Sequence, residues 1–204
     1  MEKFTTLTAA AAPLLLSNID TDTIIPMARY VTAEREVMHE FAFEPLRFLS
    51  DGSENPEFVL NRPRFRGAEI LLTGPNFGCG SSRESAVWAL AGLGIRVIIA
   101  PSFGGIFYAN CFQSGLLPVV LRQPLIEELA ARVEIDPQGA KLSVDLEECT
   151  VRAPEWEPVR FEIEPFRRAQ LLGGLDDIGL TKTHEAEIVE FQKQDQQRRV
   201  WIYL

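Results

Sequence analysis

The residues best suited to chemistry lie in one short stretch, Asn76–Ser85, which reads NFGCGSSRES. Its two glycines allow positive φ and close approach of another group to the backbone. Ser81 or Ser82 can cap a following helix, whose first amides have no partner inside it and whose dipole is positive at that end. Arg83 adds a planar fork that suits a carboxylate. The stretch therefore combines a hydroxyl, a cation and free N–H groups, which together favour binding of an anion.

A plain turn would also explain this pattern. Junctions of a strand, a glycine loop and a helix are often tight turns with a serine cap and no ligand. Two phosphate-binding motifs do not fit, because no lysine follows the last glycine as in a Walker loop and no third glycine completes a dinucleotide fingerprint. From the stretch alone, a capped turn and an anion site both stay open.

Short apolar runs and helical patterns alternate around this stretch. In order, they predict strand 68–73, helix 86–91, strand 96–100, helix 104–114, strand 116–121 and a helix from Pro124 through Arg132. Ser102 is expected to cap the second of these helices, and Gly115 to end it. Strands that alternate with helices over short connections predict an α/β fold with parallel pairing.

The remaining segments predict strands of a different kind and a helical end. They are one or two strands in 4–16, helical parts in 27–49, strands at 142–146, 151–152 and 159–163, a helix from Pro165 to Gly173–Gly174, a turn at 176–180, a helix from 183–185 to about 194, and a polar linker 194–199. The alternation in the three later strands indicates antiparallel pairing with one wet face. The apolar end, 200–204, is expected to dock on another surface.

The composition fits a soluble globular protein, with 204 residues of which 46% are hydrophobic and 24% charged. The net charge of −9 argues against a nucleic-acid partner, which would need a basic face. No apolar run approaches a membrane span, and the apolar segment 9–16 lacks the flanking charges of a signal peptide. The three cysteines are too scattered for a disulfide framework. We therefore expect a cytoplasmic protein with reduced thiols and no membrane partner.

A second polar segment, 18–26, contains Asn18, Asp20, Thr21 and Asp22. It is either a turn in which Asn and Asp bond their own backbone, or a loop that holds Asp22 toward a site. Farther along, Arg35 reads as a solvated surface charge when taken alone, and the single histidine of this region as a structural residue.

Four segments together resemble the small subunit of 3-isopropylmalate dehydratase, the stand-alone counterpart of the swivelling domain of aconitase. They are 18–26, 76–90, 101–118 and 174–181, in this order and spacing. The resemblance runs from about Lys3 to about Phe191. It implies an α/β fold, a compact swivelling β/β/α domain that spans 1–204 as one unit with a short C-terminal tail from about 194.

The resemblance also implies a reaction, a partner and roles for site residues. The family dehydrates and rehydrates a small dicarboxylate, and its large subunit carries a [4Fe–4S] cluster with three cysteine ligands. This chain is expected to bind no cofactor or metal itself, because its cysteines lack the spacing of cluster ligands. By resemblance, Ser81 is the catalytic base, acting as an alkoxide. The substrate-binding residues implied are Ser82, Arg83, Asp22, Thr21 and Arg35, the last in the substrate loop.

Two departures from the family pattern lie near this expected site. Ser85 stands where the family has histidine, and the sequence 36–39 stands where it often has Thr-Gly-x-Gly. They leave three hypotheses open: an isopropylmalate isomerase subunit of leucine biosynthesis, a subunit of a related hydro-lyase for another branched hydroxy-dicarboxylate, and a divergent subunit without activity.

Overall fold

The computed structural model describes residues 1–81, 83–136 and 141–203. Its strands are β1 (Thr6–Ala9), β2 (Ala11–Leu14), β3 (Ile70–Thr73), β4 (Val97–Ala100), β5 (Leu117–Val120), β6 (Leu142–Asp145), β7 (Thr150–Arg152) and β8 (Val159–Arg160). Its α-helices are α1 (Thr21–Ile24), α2 (Met27–Thr32), α3 (Glu44–Arg47), α4 (Ser85–Gly92), α5 (Gly105–Gln113), α6 (Gln123–Ile135), α7 (Pro165–Gly173), α8 (Asp177–Lys182) and α9 (Glu185–Arg198). Segments of 3₁₀ helix cover Arg35–Phe41, Val59–Asn61 and Val200–Ile202.

The strands form two sheets of different character. One is parallel, in the order β2-β3-β4-β5, and its strands align Ile70 with Val97 and Val97 with Leu117. The other is antiparallel, in the order β1-β6-β7-β8. The parallel pairing of the central strands and the antiparallel pairing of the later ones confirm the predictions from apolar runs and from alternation.

The core lies around the parallel sheet, because helices leave its strands little contact with water. All residues of β3 and β4 are buried. The helix α6 packs on this sheet with Ile126, Leu129 and Val133, all buried. Two-sided burial explains why β3 and β4 are unbroken apolar runs.

Both predicted serine caps are wrong. Helix α4 begins at Ser85, and its N-cap is Glu84, which makes no side-chain cap bond. Helix α5 has Gly104 as its N-cap, and the hydroxyl of Ser102 instead accepts a hydrogen bond from the backbone N–H of Asn76 at 2.9 Å. The loops continue beyond Ser81 and Ser102, and these two hydroxyls bond other groups instead of capping a helix.

The C-terminal region also differs from the prediction. Residues 177–182 form helix α8 and not a turn, because Asp176 caps it by accepting from the N–H of Gly179 at 2.6 Å. Helix α9 runs on to Arg198, through the predicted polar linker. The apolar end folds back on α9, where the hydroxyl of Tyr203 donates to Asp195 at 2.9 Å, but it leaves Trp201 69% exposed. The extent of one domain over 1–204 stays a prediction.

Candidate functional site

Three loops meet at the carboxyl edge of the parallel sheet. The β3–α4 loop bonds the segment before α1, through Gly78 N–H to Ile19 O at 2.7 Å and Thr21 N–H to Cys79 O at 3.0 Å. It also bonds the β4–α5 loop, through Gly104 N–H to Phe77 O at 2.8 Å. Ligands of open α/β sheets bind at such an edge, where loops from neighbouring strands converge.

Two glycines make this close approach possible. A Cβ at Gly104 would overlap the carbonyl oxygen of Gly78, and a Cβ at Gly78, whose φ is +70°, would overlap the ring of Phe107. Gly78 therefore needs to be glycine for both its backbone angle and its space. The glycines predicted to allow close approach do so, although the approaching groups belong to the protein itself.

The hydroxyl of Ser81 is held between two side chains. Its Oγ lies 2.9 Å from Oγ1 of Thr21 and accepts a hydrogen bond from Nε of Arg83 at 2.7 Å. The backbone N–H of Ser81 also donates to Thr21 Oγ1, at 3.3 Å. Because the glycine loop runs past the serine before α4 begins, this hydroxyl contacts Thr21, the first residue of α1, and does not cap α4.

Arg83 uses its remaining nitrogens on Asp22. The two terminal nitrogens donate to the two carboxylate oxygens of Asp22 at 2.7 and 2.6 Å. The guanidinium also lies over the ring of Tyr30, 5.0 Å from its centroid. Four of the sequence-predicted site residues, Thr21, Asp22, Ser81 and Arg83, therefore come together in one bonded set.

Charge in this set is balanced but unevenly buried. The side chain of Arg83 is 14% exposed, whereas that of Asp22 is 55% exposed. The hydrogen bonds from Arg83 hold the pKa of the Asp22 carboxyl below its usual range, and Asp22 in turn raises the pKa of Arg83. Both groups are therefore ionised at neutral pH, and the cation is the less exposed of the two.

The segment 18–26 forms a turn and also holds Asp22 toward the site, so both interpretations of its sequence are correct. Asp20 caps α1 by accepting from the N–H of Thr23 at 2.7 Å, which is the Asx-type turn. That short helix begins at Thr21 and presents Thr21 and Asp22 to the glycine loop. The turn is therefore the device that holds the two site residues.

Arg35 lies outside the bonded set. It belongs to the 3₁₀ segment Arg35–Phe41, which packs along α4, and its guanidinium lies 4.6 Å from the ring centroid of Trp88. The indole N–H of Trp88 donates to Glu84 at 3.2 Å, so this ring is fixed. Ser82, the other residue implied for the substrate, lies outside the described residues.

Sequence reasoning missed two aromatic side chains of the site. Tyr30 supports Arg83, and Trp88 supports Arg35. The spacing of Trp88 four positions after Glu84 on a helix was an available signal for their contact, since such pairs share a face. Nothing in the sequence placed Tyr30 beside Arg83, because their contact is long-range.

The departure from the family pattern at position 85 leaves a buried hydroxyl. Ser85 is 4% exposed, and its Oγ has no hydrogen-bond partner within the described residues. At the other end of α4, a Cβ at Gly92 would lie 2.8 Å from Cβ of His39, so the 3₁₀ segment packs tightly against this helix. His39 therefore has a packing role, as expected of a structural histidine.

A cavity of about 170 Å³ lies beside Ser81, floored by glycines of the two loops and bordered by Ile106 and Phe107. At about 30 Å³ for each water in the liquid, this volume corresponds to roughly six waters. Pockets for whole small molecules are larger, about 300 Å³ or more. The cavity therefore fits part of a small acid, and the rest of a site has to come from another surface.

The residues described do not form a site for a metal or an iron–sulfur cluster. Within ranges 1–81, 83–136 and 141–203, no three His, Cys, Asp or Glu side chains gather as ligands. Cys79, Cys111 and Cys149 are free thiols, and burial raises the pKa of the Cys111 thiol well above its ordinary value. Over the same ranges, no helix has the length and apolar character needed to span a membrane.

This chain is similar to known proteins over nearly its whole length. The family model of the aconitase C-terminal domain matches residues 1–124, and the one described as LeuD_N matches residues 127–165. The 3-isopropylmalate dehydratase small subunit of Parvibaculum lavamentivorans is 47% identical over 99% of this chain and 100% of its own length. That of Jannaschia sp. is 48% identical over 202 residues, 99% of this chain and 100% of its own length.

One solved structure has the same fold. The crystal structure of 3-isopropylmalate dehydratase from Methanocaldococcus jannaschii matches with a TM-score of 0.63 and 23% identity, over 92% of this chain and 99% of its own. The fold is that of the aconitase C-terminal domain, as the sequence predicted. The near-complete coverage of relatives at 47% identity shows that this chain belongs to the family of 3-isopropylmalate dehydratase small subunits.

Proposed function

We propose that this chain is the small subunit of a two-subunit hydro-lyase that interconverts 2-isopropylmalate and 3-isopropylmalate in leucine biosynthesis. Two kinds of observation support this: relatives that carry the name match the whole chain, and the loops at the sheet edge hold a serine hydroxyl against a cation. The observation that carries the chemistry is the 2.7 Å hydrogen bond from Arg83 Nε to Ser81 Oγ.

The role of Ser81 in this proposal is to accept a proton. Dehydration requires that a proton leave a carbon next to a carboxylate, and a free serine hydroxyl is too weak an acid to supply an alkoxide for this. A guanidinium donor at hydrogen-bond distance stabilises the alkoxide far more than the neutral alcohol, because the full charge–charge attraction exists only in the ionised form. The low exposure of Arg83, 14%, limits screening by water. Thr21 fixes the direction of the serine oxygen at 2.9 Å.

The roles of Arg83 and Asp22 follow from how the fork is occupied. Nε donates a hydrogen bond to Ser81, and each terminal nitrogen donates one to Asp22. A substrate carboxylate that takes both terminal nitrogens of Arg83 as a bidentate fork therefore displaces Asp22, whose side chain is 55% exposed. In this proposal Asp22 orients the fork before the substrate binds and then yields its place to it.

The remaining parts of the site are assigned to a large subunit. The described residues of this chain do not fit a [4Fe–4S] cluster, so we assign the cluster to that subunit and no step to this chain beyond binding, orientation and proton transfer. The small size of the cavity beside Ser81 supports a site completed by a second surface. The three free thiols of this chain fit the reducing cytoplasm, where we place the complex.

A second candidate is a related hydro-lyase that acts on another small branched hydroxy-dicarboxylate. It is favoured by Ser85 in place of histidine and by the 3₁₀ segment Arg35–Phe41, which is stacked on α4 where the family often has glycines. Ser85 lies two positions after Arg83 of the bonded set, and the 3₁₀ segment packs along the helix that Ser85 begins. The two candidates share Ser81 chemistry and differ only in the substrate.

The test is reconstitution of the complex. The chain is co-purified with its large subunit, the cluster is rebuilt without oxygen, and turnover is measured with isopropylmalate and with other branched hydroxy-dicarboxylates. We expect Ser81→Ala to lower kcat by about two to four orders of magnitude while assembly persists, because it removes only the proton acceptor. Preference for another dicarboxylate supports the second candidate.

Ser102→Ala is the matched control. This serine lies in the neighbouring loop, and its hydroxyl bonds only the backbone of Asn76 in the described structure. The variant is expected to lose on the order of 1 kcal/mol of stability and to keep its turnover. Near-normal kcat in Ser81→Ala, with the same loss of stability as Ser102→Ala, would assign Ser81 a purely structural role.

A further inference from the structure

The side chain of Arg83 contacts an aromatic ring in addition to its two hydrogen-bond partners. Its Cζ lies over the ring of Tyr30, 5.0 Å from the centroid. Ser81 accepts a hydrogen bond from Nε, and Asp22 accepts from both terminal nitrogens. In the described part of the chain, one ring and two hydrogen-bonding side chains therefore hold the guanidinium in place.

These contacts differ in what happens to them when a substrate binds. Under the proposed function, a substrate carboxylate takes the terminal nitrogens of Arg83, and the bidentate bond to Asp22 is lost just when Ser81 has to accept a proton. An aromatic ring attracts the charge of the guanidinium as a whole, and it does so most strongly where water is excluded. The side chain of Arg83 is only 14% exposed. The contact with Tyr30 therefore persists whichever carboxylate occupies the terminal nitrogens.

Tyr30 is anchored independently of Asp22. The two residues belong to different helices, α2 and α1, and Ile24 and Ile25 between them are fully buried. The backbone N–H of Tyr30 donates to the carbonyl oxygen of Pro26 at 3.2 Å, and Tyr30 packs against the buried core. The Asp22 side chain, which is 55% exposed, can therefore turn away while the ring of Tyr30 stays where it is.

We propose that Tyr30 is a positioning residue, which keeps the guanidinium of Arg83 against Ser81 while a substrate carboxylate replaces Asp22. The inference rests on the proposed function and deepens it, because it assigns the support of the cation in the substrate-bound state. Without the ring, the fork is free to turn with the substrate carboxylate, and Nε leaves the serine oxygen. The expected loss is therefore in kcat and not in substrate binding.

The first test compares two variants of Tyr30 in the complex reconstituted with the large subunit. Tyr30→Leu keeps an apolar side chain but removes the ring, and we expect kcat to fall by about tenfold while KM stays within about twofold. Tyr30→Phe keeps the ring and should retain kcat within about twofold, because a phenyl ring also attracts a guanidinium. If the leucine variant is too unstable to assemble, Tyr30→Met serves for the same comparison.

Phe41→Leu is the matched control. The ring of Phe41 lies 4.7 Å from Cζ of Arg29, and Arg29 donates two hydrogen bonds to Glu44, at 2.8 and 2.6 Å. This second cluster also consists of a cation, a ring and a carboxylate, but it includes no residue of the bonded set. Phe41→Leu should leave kcat unchanged. Thermal unfolding of this variant and of Tyr30→Leu measures what the loss of a ring costs in packing alone.

A second test determines whether the effect of Tyr30 passes through Ser81. In Ser81→Ala the guanidinium has no serine oxygen to stabilise, so adding Tyr30→Leu should lower the residual kcat by less than about twofold. Single turnovers with enzyme in excess measure this residual rate. A further loss of about tenfold would mean that Tyr30 acts independently of Ser81, and the inference would be wrong.

Three other results would also overturn the inference: an unchanged kcat in Tyr30→Leu, an equal loss of kcat in Tyr30→Phe, or a rise in KM with kcat retained. The first of these, together with a lower Tm, would make Tyr30 a packing residue only. Failure of the proposed function looks different, because Ser81→Ala alone would then keep its turnover. If Ser81→Ala loses turnover and Tyr30→Leu does not, only the role of Tyr30 is wrong.

Discussion

Arg83 meets Asp22 with both terminal nitrogens of its guanidinium, at 2.7 and 2.6 Å. This bidentate pair fixes the rotation of the fork, and the third nitrogen then points at Ser81. An exposed ion pair usually contributes little to stability. The Arg83–Asp22 pair matters for orientation, because it sets the position of the guanidinium relative to Ser81 Oγ.

Asp22→Asn should therefore affect stability in a pH-dependent way. Arg83 depresses the pKa of Asp22 in the folded protein, so the pair stabilises the fold above the ordinary carboxyl pKa, and this stabilisation is lost as the pH falls through the lower folded value. We expect the difference in Tm between the two proteins to be constant from about pH 5 to 7 and to shrink below about pH 4. A difference that grows toward acid would contradict the assigned pair.

Arg83→Lys tests whether the fork serves both neighbours. An ammonium cannot make parallel bonds to Asp22 while donating to Ser81, so orientation is lost although the charge is kept. In the reconstituted complex we expect kcat to fall and KM to rise together, by about tenfold or more each. A rise in KM alone would mean that Arg83 binds the substrate but does not act on Ser81.

Ser85→Ala should stabilise the chain. The replaced hydroxyl is buried and unpartnered in the described structure, and its removal relieves a desolvation cost of about 1–3 kcal/mol. Alanine also favours the first turn of α4. Chemical denaturation should show an increase of about 1 kcal/mol or more in the free energy of unfolding. A loss of stability would indicate that the hydroxyl has a partner.

The two adjacent glycines at the start of α5 give a matched pair. Gly104→Ala places a Cβ against the carbonyl of Gly78, whereas Gly105→Ala places one in open space. We expect the first to cost about 2 kcal/mol or more, because backbone has to move, and the second to be neutral or stabilising by about 0.4–1 kcal/mol. Equal effects of the two variants on thermal unfolding would mean that the loops are not in tight contact.

The sequence predicted those parts of the molecule that depend on local pattern. The apolar runs at β3 and β4 and the alternation at β6 identified the strands and their pairing, because burial on two faces or one leaves a direct mark on residue type. The positions of the helix ends were harder to predict. Ser81 and Ser102 are good cap residues, but their hydroxyls contact residues far away in the sequence, Thr21 and Asn76, and a local rule cannot take such contacts into account.

The candidate site was predicted as a set of residues but not as a set of contacts. Ser81, Arg83, Asp22 and Thr21 were identified by family resemblance, and the structure brings them together. That Asp22 occupies the fork of Arg83 could not be predicted, because the two residues are 61 positions apart. The end of α9 was missed because the polar stretch 194–199 is typical of a linker.

The pairing of β1 with β6 has a consequence for synthesis of the chain. The hydroxyl of Thr6 bonds Asp145, 139 positions later, whereas the parallel sheet needs only residues up to Val120. At about 5–20 residues per second, β1 waits roughly 7 to 30 seconds on the ribosome before its partner is made. During that time it is an unpaired edge. The first strand to emerge is therefore among the last to find its place, and it is the segment that a chaperone would meet on the nascent chain.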